Sequence, residues 1–291
     1  MSALRFLSLF FAALGLLSAV QAATPCPDFA RKLPNVKREL CDSAQLQASA
    51  ARSVKGRTIW VRDVKPAQAA LRVLVVGAIH GDELSSAAVA LHWIALAGQA
   101  PVDGAQPIHW RFLPMLNPDG VFGPSPQRVN AHGVDLNRNF PTPNWAREAK
   151  VYWEKRTLKD PRRWPGSKPL SEPESRFLYD QMRSFKPQLI VSIHAPFGVL
   201  DFDGPTVPPA RLGRLYLDQV GIYPGSLGNY GGVHKGVPVV TVELPNSART
   251  PQDAEIRQMW LDLLRWTGER LGPSPTLAAG SGAAAALPAT H

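Results

Sequence analysis

Four short motifs carry side chains able to bind a metal and move a proton. His80-Gly81-Asp82-Glu83 sets an imidazole and a carboxylate three residues apart, close enough to hold one ion from a single turn. A second imidazole, His194, sits in Ser192-Ile193-His194-Ala195-Pro196. Catalytic zinc takes three protein ligands drawn from His nitrogen and carboxylate oxygen and leaves a fourth position for water. His80, Glu83 and His194 are therefore a candidate ligand set for one Zn²⁺ per chain. Each motif alone is weak, because H-x-x-E arises by chance and a strand-end His often bonds only backbone. Their joint presence points to a hydrolytic metal centre.

Glu243 ends Val237-Pro238-Val239-Val240-Thr241-Val242, an almost wholly apolar run. A carboxylate there is costly to bury unless it faces a polar cavity. Beside a metal it suits a general base that takes a proton from the attacking water and returns it to the leaving amine. Between these motifs lies Gly133-Val134-Asp135-Leu136-Asn137-Arg138-Asn139-Phe140. The planar fork of Arg138 matches a carboxylate, so Arg138 with Asn137 suits a substrate's free carboxylate. Arg128 is a candidate for stabilising a developing oxyanion. Asp135 is a candidate acceptor from the far ring nitrogen of a ligand His. Taken singly, each is more readily a solvated loop residue.

The elements needed to position these groups are legible as apolar runs. Residues 71–78 read as a buried strand, and residues 57–64, 108–116, 188–194 and 237–244 read as further strands. Residues 83–97 read as a helix with an apolar face. Ser171-Glu172-Pro173-Glu174 has the spacing of a capping box, opening a helix to about Phe185. Thr250 and Pro251 suit the start of a last amphipathic helix carrying Ile256, Met259, Trp260, Leu263, Leu264 and Leu271. Residues 141–169 read as an irregular surface excursion. Strands alternating with helices predict an α/β domain with a mixed or parallel sheet, helices on both faces, and ligands at the carboxyl ends of the strands. His80, His194 and Glu243 all fall at such ends.

The chain has 291 residues, 45% of them apolar, which suffices for one large α/β domain. Its net charge of +9 favours anionic surfaces, yet no nucleic-acid motif is present and no Lys/Arg tract exceeds Arg162-Arg163, so no nucleic-acid partner is expected. Residues 1–22 read as an export signal: Arg5, then an apolar Phe6–Val20, then a small-residue site at Val20-Gln21-Ala22. That core is short for a membrane span, and no later segment is long and apolar enough, so no stable span is expected after cleavage. A periplasmic or secreted location follows as the expectation. Cys26 and Cys41 then suggest a disulfide, with two free thiols as the alternative. The expected division is a signal at 1–22, a lead-in at 23–56, a catalytic domain at 57–271 and a disordered Ala/Gly/Pro tail at 272–291.

From about Arg57 to Leu271 the motifs resemble the carboxypeptidase A-like zinc metallocarboxypeptidases. In that resemblance His80, Glu83 and His194 match the zinc ligands, Glu243 the general base, Arg128 the carbonyl-polarising Arg, Asn137 and Arg138 the carboxylate clamp, and Asp135 the acid behind a ligand His. Within the family the chain is most similar to the bacterial murein peptide amidases. The similarity is carried by Asn117-Pro118-Asp119-Gly120, residues 128–141, Ser171-Glu172-Pro173-Glu174, and Pro224-Gly225-Ser226-Leu227-Gly228 before Glu243-Leu244-Pro245. The resemblance implies a central mixed sheet of about eight strands, and hydrolysis of the γ-D-glutamyl–meso-diaminopimelate bond in a peptidoglycan-derived peptide. The family's mobile Tyr is matched by Tyr223 first and Tyr230 second. Asp201 and Asp203 are candidates for the far ammonium of diaminopimelate. Only residues 23–56 precede the catalytic region, so no long inhibitory pro-domain is expected. The alternatives are an exported metallocarboxypeptidase that removes C-terminal L-residues, and an N-acyl amino acid deacylase of the aspartoacylase type. Ser171/Glu174 and Gly225-Ser226 argue against the deacylase. A non-catalytic wall-binding module is disfavoured because every catalytic position is filled.

Overall fold

Side-chain alternation along a few apolar strands sets the architecture. In β3 (Leu71–Val76), Val73 and Val75 join one core while Leu74 and Val76 join the other. Successive strand side chains point to opposite faces, so a strand apolar on both must be covered on both. This computed structural model describes residues 24–100 and 102–272. The expected export signal at 1–22 and all but the first residue of the expected tail at 272–291 lie outside the described residues.

The other strands are β1 (Gln47–Arg52), β2 (Thr58–Val64), β4 (Ile108–Leu113), β5 (Leu189–His194), β6 (Val199–Asp203), β7 (Arg211–Leu212), β8 (Leu215–Tyr216) and β9 (Val239–Glu243). Seven of them form one sheet in the order β1-β2-β4-β3-β5-β9-β6, and β7 pairs with β8 alone. The four central strands, β4-β3-β5-β9, run parallel, whereas β1, β2 and β6 join antiparallel. The sheet is mixed as expected, with seven strands rather than about eight.

Helices α1 (Cys26–Lys32), α2 (Arg38–Ser43), α3 (Leu84–Ala97) and α7 (Asp253–Arg270) supply residues to the core on one face. There Trp93 is fully buried, packs at a tilt against Trp260 and donates its indole N–H to Ile256 O at 3.2 Å. The other face is covered by α6 (Pro173–Phe185) with Leu136, Phe140, Leu227 and Tyr230. Two shorter helices, α4 (Pro118–Val121) and α5 (Trp145–Val151), lie in the loops over the strand ends. No helix among the described residues is long and apolar enough to cross a membrane.

Several local expectations give way. The capping box does not form. Pro173 takes the first helical position, which moves the N-cap to Glu172 and leaves Ser171 outside the helix. The Ser171 hydroxyl donates to Glu172 Oε1 at 2.6 Å, and the Glu174 carboxylate accepts from the Val54 N–H at 3.1 Å. Helix α7 starts at Asp253 with Gln252 as N-cap rather than at Thr250, and Asp253 and Glu255 place negative charge in its first turn. The lead-in is not separate from the sheet: β1 pairs with β2. Residues 199–203 form the edge strand β6.

Cys26 and Cys41 are disulfide-bonded and both buried, tying α1 to α2. In the chain-entropy account, closing a loop of this separation stabilises by about 3 kcal/mol. Reduction, or Cys41→Ser, is expected to lower the unfolding free energy by roughly that amount, read by urea denaturation with and without reductant.

Candidate metal centre

Three neighbouring parallel strands, β3, β5 and β9, deliver the site. His80 follows β3, His194 ends β5, and Glu243 ends β9 directly opposite His194 in register. Strand order places β3's other crossover, through α3 to β4, on the opposite side, so the sites converge where the chain's direction of winding switches. The turn after β3 is tight: a Cβ at Gly81 would collide with the backbone of Gly120.

His80, Glu83 and His194 are buried, and one ligand atom from each lies within 4.8 Å of the others. Glu83 Oε1 is 2.8 Å from His80 Nδ1, Glu83 Oε2 is 3.0 Å from His194 Nδ1, and the two Nδ1 atoms are 3.2 Å apart. The outward nitrogens are held as well. His80 Nε2 meets Asp135 Oδ1 at 3.0 Å, and His194 Nε2 meets Ser192 Oγ at 2.9 Å. Those partners turn both Nδ1 lone pairs inward. Two imidazoles and one carboxylate, converging and oriented from behind, fit the donor chemistry of a catalytic zinc site. Burial acts to raise the Glu83 carboxyl, but His80 and His194 outweigh it and hold it far below the ordinary range.

Asp135 is fully buried and serves three partners, the third being the Asn137 N–H, which donates to Oδ1 at 3.0 Å. Its Oδ1 faces His80, and its Oδ2 accepts from Arg128 Nε and Nη2 at 3.1 and 3.0 Å. Burial opposes its charge, yet Arg128 first and His80 next keep it well below the usual carboxylate range. Arg128 Nη1 is left 3.6 Å from Glu83 Oε1, beside the ligand cluster.

Arg138 is buried, its Nε has no hydrogen-bond partner among the described residues, and its guanidinium lies 4.4 Å over the Tyr223 ring. Asn137 Oδ1 accepts from the Leu227 N–H at 2.8 Å, which leaves the Asn137 amide N–H groups for another acceptor. Gly225 holds φ +75°, and a Cβ there would strike the Arg138 carbonyl, so this crossing needs glycine. Tyr223 lines the cavity, whereas Tyr230 packs against Phe140 and Tyr179 in the core.

A cavity of about 600 Å³ gathers His80, Glu83, Arg128, Asn137, Arg138, His194, Asp201, Asp203, Tyr223 and Glu243. The alternation of β6 puts Leu200 and Phe202 in the core and turns Asp201 and Asp203 to the cavity face. A Cβ at Gly228 would collide with Asp203 Oδ2, so this glycine makes room for that carboxylate. Burial, then the neighbouring Asp201, push the Asp203 carboxyl up to about 6. Burial also raises Glu243, whose Oε2 has no hydrogen-bond partner among the described residues. Sequence reading passed over Ser192, although its place two residues before His194 puts both on one face of β5. It also passed over Arg162, Arg163 and Asp82, which line the same cavity.

The Asp135 bond should be measurable through metal affinity. Asp135→Asn is expected to weaken zinc binding by about 10–100-fold, read by calorimetric titration of the metal-stripped protein. Unchanged affinity would remove Asp135 from the role of orienting His80.

Comparison with known proteins agrees with this geometry. Residues 38–200 match the zinc carboxypeptidase family, Peptidase_M14. Murein peptide amidase A of Escherichia coli K12 is 30% identical over 211 residues, covering 69% of this chain and 83% of the relative. The protein of the same name from Vibrio campbellii is 32% identical over 181 residues, covering 60% of this chain and 69% of that one. The crystal structure of murein-tripeptide amidase MpaA from Escherichia coli O157 superposes with a TM-score of 0.57 at 28% identity, covering 76% of this chain and 92% of that structure. A family match through more than half the chain, with the converging histidines and glutamate inside it, means that the protein belongs to the zinc carboxypeptidase family and is a hydrolase.

Proposed function

We propose that this protein is an exported zinc amidase that cleaves the γ-D-glutamyl–meso-diaminopimelate bond of cell-wall peptides. The observation that carries this reading is Asp203, a buried carboxylate to which no side chain among the described residues donates, on the wall of a cavity that also holds Arg138. Such a cavity suits a leaving residue that bears an ammonium at its far end as well as carboxylates. Ordinary apolar or neutral C-terminal residues would leave the buried Asp203 carboxylate without a counter-charge, whereas Asp201 already accepts from the Phe202 N–H at 2.9 Å. Relatives named as murein peptide amidases support the same substrate class. Export is supported by residues 1–22 and by the Cys26–Cys41 bond, which belongs in an oxidising compartment.

His80, Glu83 and His194 would hold the ion. Bound zinc supplies a Lewis acid that polarises the scissile carbonyl and makes the attacking water more acidic. Glu243 accepts the water's proton at its free Oε2 and returns it to the departing amine. The upward push of burial on its carboxyl brings its basicity closer to that task. Arg128, held rigid by Asp135, presents Nη1 to the oxygen on which charge develops. Arg138 and the Asn137 amide receive the leaving residue's α-carboxylate, and the Tyr223 ring braces the guanidinium from behind. Asp201 and Asp203 receive its far ammonium.

The test is incubation of the zinc-loaded protein with L-Ala-γ-D-Glu-meso-diaminopimelate, with mass spectrometry of the products. Free diaminopimelate, abolished by chelator, is expected. An intact tripeptide beside cleaved L-peptides would give the assignment to a carboxypeptidase of ordinary L-residues. Glu243→Gln is expected to bind zinc normally and lose about 10²–10⁴-fold in kcat. Because the Asp203 carboxyl loses its charge below about pH 6, KM for the tripeptide is expected to rise by up to about tenfold from about pH 7 to pH 5, and Asp203→Asn is expected to flatten that dependence.

A further inference from the structure

The rim of the cavity carries two guanidiniums that the chemistry above does not use. Asp160-Pro161-Arg162-Arg163 forms one tight turn, in which the Asp160 carboxylate accepts from the Arg162 N–H at 2.9 Å. The turn is pinned to the metal site at two points. Trp164 O accepts from the N–H of Asp135, the residue that orients His80 and Arg128, at 2.8 Å. Arg162 Nη2 donates to Asp82 Oδ2 at 2.7 Å, and Asp82 adjoins Glu83. Both arginines line the same cavity as the ligand cluster.

Each arginine has one carboxylate beside it, but they are held unequally. Asp82 accepts a hydrogen bond from Arg162, whereas Asp160 Oδ2 stands 3.6 Å from Arg163 Nε, beyond hydrogen-bond distance, so the Arg163 fork is the looser of the two. Arg163 also lies near enough to Arg138 to add to the burial and the Arg128 charge that work against Arg138's protonation. Adjacent guanidiniums facing a cavity favour an anion between them.

Strand order says which part of a substrate reaches them. His80 and Asp82 follow β3, and Asp201 and Asp203 lie on the edge strand β6. The ends of β5 and β9, with His194 and Glu243, come between. With the scissile bond at the centre and the leaving residue toward β6, the acyl portion extends toward Asp82 and Arg162.

We propose that Arg162 and Arg163 bind a second carboxylate of the substrate, on the acyl side of the scissile bond. The inference rests on the γ-glutamyl reading above. A glutamate linked through its side-chain carboxyl keeps its α-carboxylate free, separated from the scissile carbonyl by a short carbon chain. An α-linked peptide has no such charge at that place. Arg162 and Arg163 thereby select a γ-linked acidic acyl group over its neutral amide.

The experiment compares L-Ala-γ-D-Glu-meso-diaminopimelate with the same tripeptide in which the glutamate α-carboxylate is an amide. The wild-type enzyme is expected to prefer the free acid by about tenfold in kcat/KM, expressed in KM, a modest factor because the arginines are part-exposed. Arg162→Ala/Arg163→Ala is expected to collapse that preference, the paired lysine variant to keep part of it, and added salt to shrink it in wild type only. Equal cleavage of both substrates by wild type, or a preference that survives the double alanine change, would overturn this assignment while leaving the proposed amidase intact. Cleavage of neither, with L-peptides cut, would overturn the amidase reading and this one together.

Discussion

The site depends on a single buried carboxylate, Asp135. One oxygen orients His80 and the other holds Arg128 through two N–H groups, while its own backbone N–H reaches the strap at Trp164. A fully buried charge of this kind is tolerable only when its partners supply charge and hydrogen bonds from several sides. That requirement makes the arrangement stiff. Rotation of His80 would cost Oδ1 one of its two donors, and withdrawal of Arg128 would strip Oδ2 of both N–H groups that it accepts from. A metal ligand and the guanidinium assigned to the developing oxyanion are thereby fixed relative to one another by one side chain.

The sheet brings the remaining groups to the same place. A parallel centre gives β3, β5 and β9 a common carboxyl end, and antiparallel β6 closes the edge beside it. The apolar faces of these strands are consumed by two cores, so polar side chains at their ends have only the cavity to enter. The loops between β4 and α6 then lie across the opening and carry Arg128, Asn137, Arg138 and the Arg162-Arg163 turn. Strand ends hold His194 and Glu243, the tight turn after β3 holds His80 and Glu83, and the longer loops hold most of the groups assigned to the substrate.

The sequence was readable where chemistry and pattern coincided. Val73 to Val76 and Val239 to Val242 look like buried strands because both of their faces are apolar, and His80, Glu83 and His194 stand out because those residue types converge on metals. Strand β1 was hidden, since Gln47-Ala48-Ser49-Ala50-Ala51-Arg52 has little to bury and is held through backbone pairing at an edge. Strand β6 showed a period of two in Leu200-Asp201-Phe202-Asp203, but aspartates facing a polar cavity look like those of a turn. The Ser171/Glu174 spacing misled because Pro173 shifts the helix start, and Glu174 is used by Val54 across a long stretch of chain. No local pattern encodes such a partner.

Gly228 has a consequence for how this cavity can change over generations. Any side chain there would meet the Asp203 carboxylate. The two positions are therefore not free to vary independently. A side chain at residue 228 would push the Asp203 carboxylate from its place, so a lineage that still uses that carboxylate must keep glycine there. Once residue 203 has shrunk, residue 228 is released to grow.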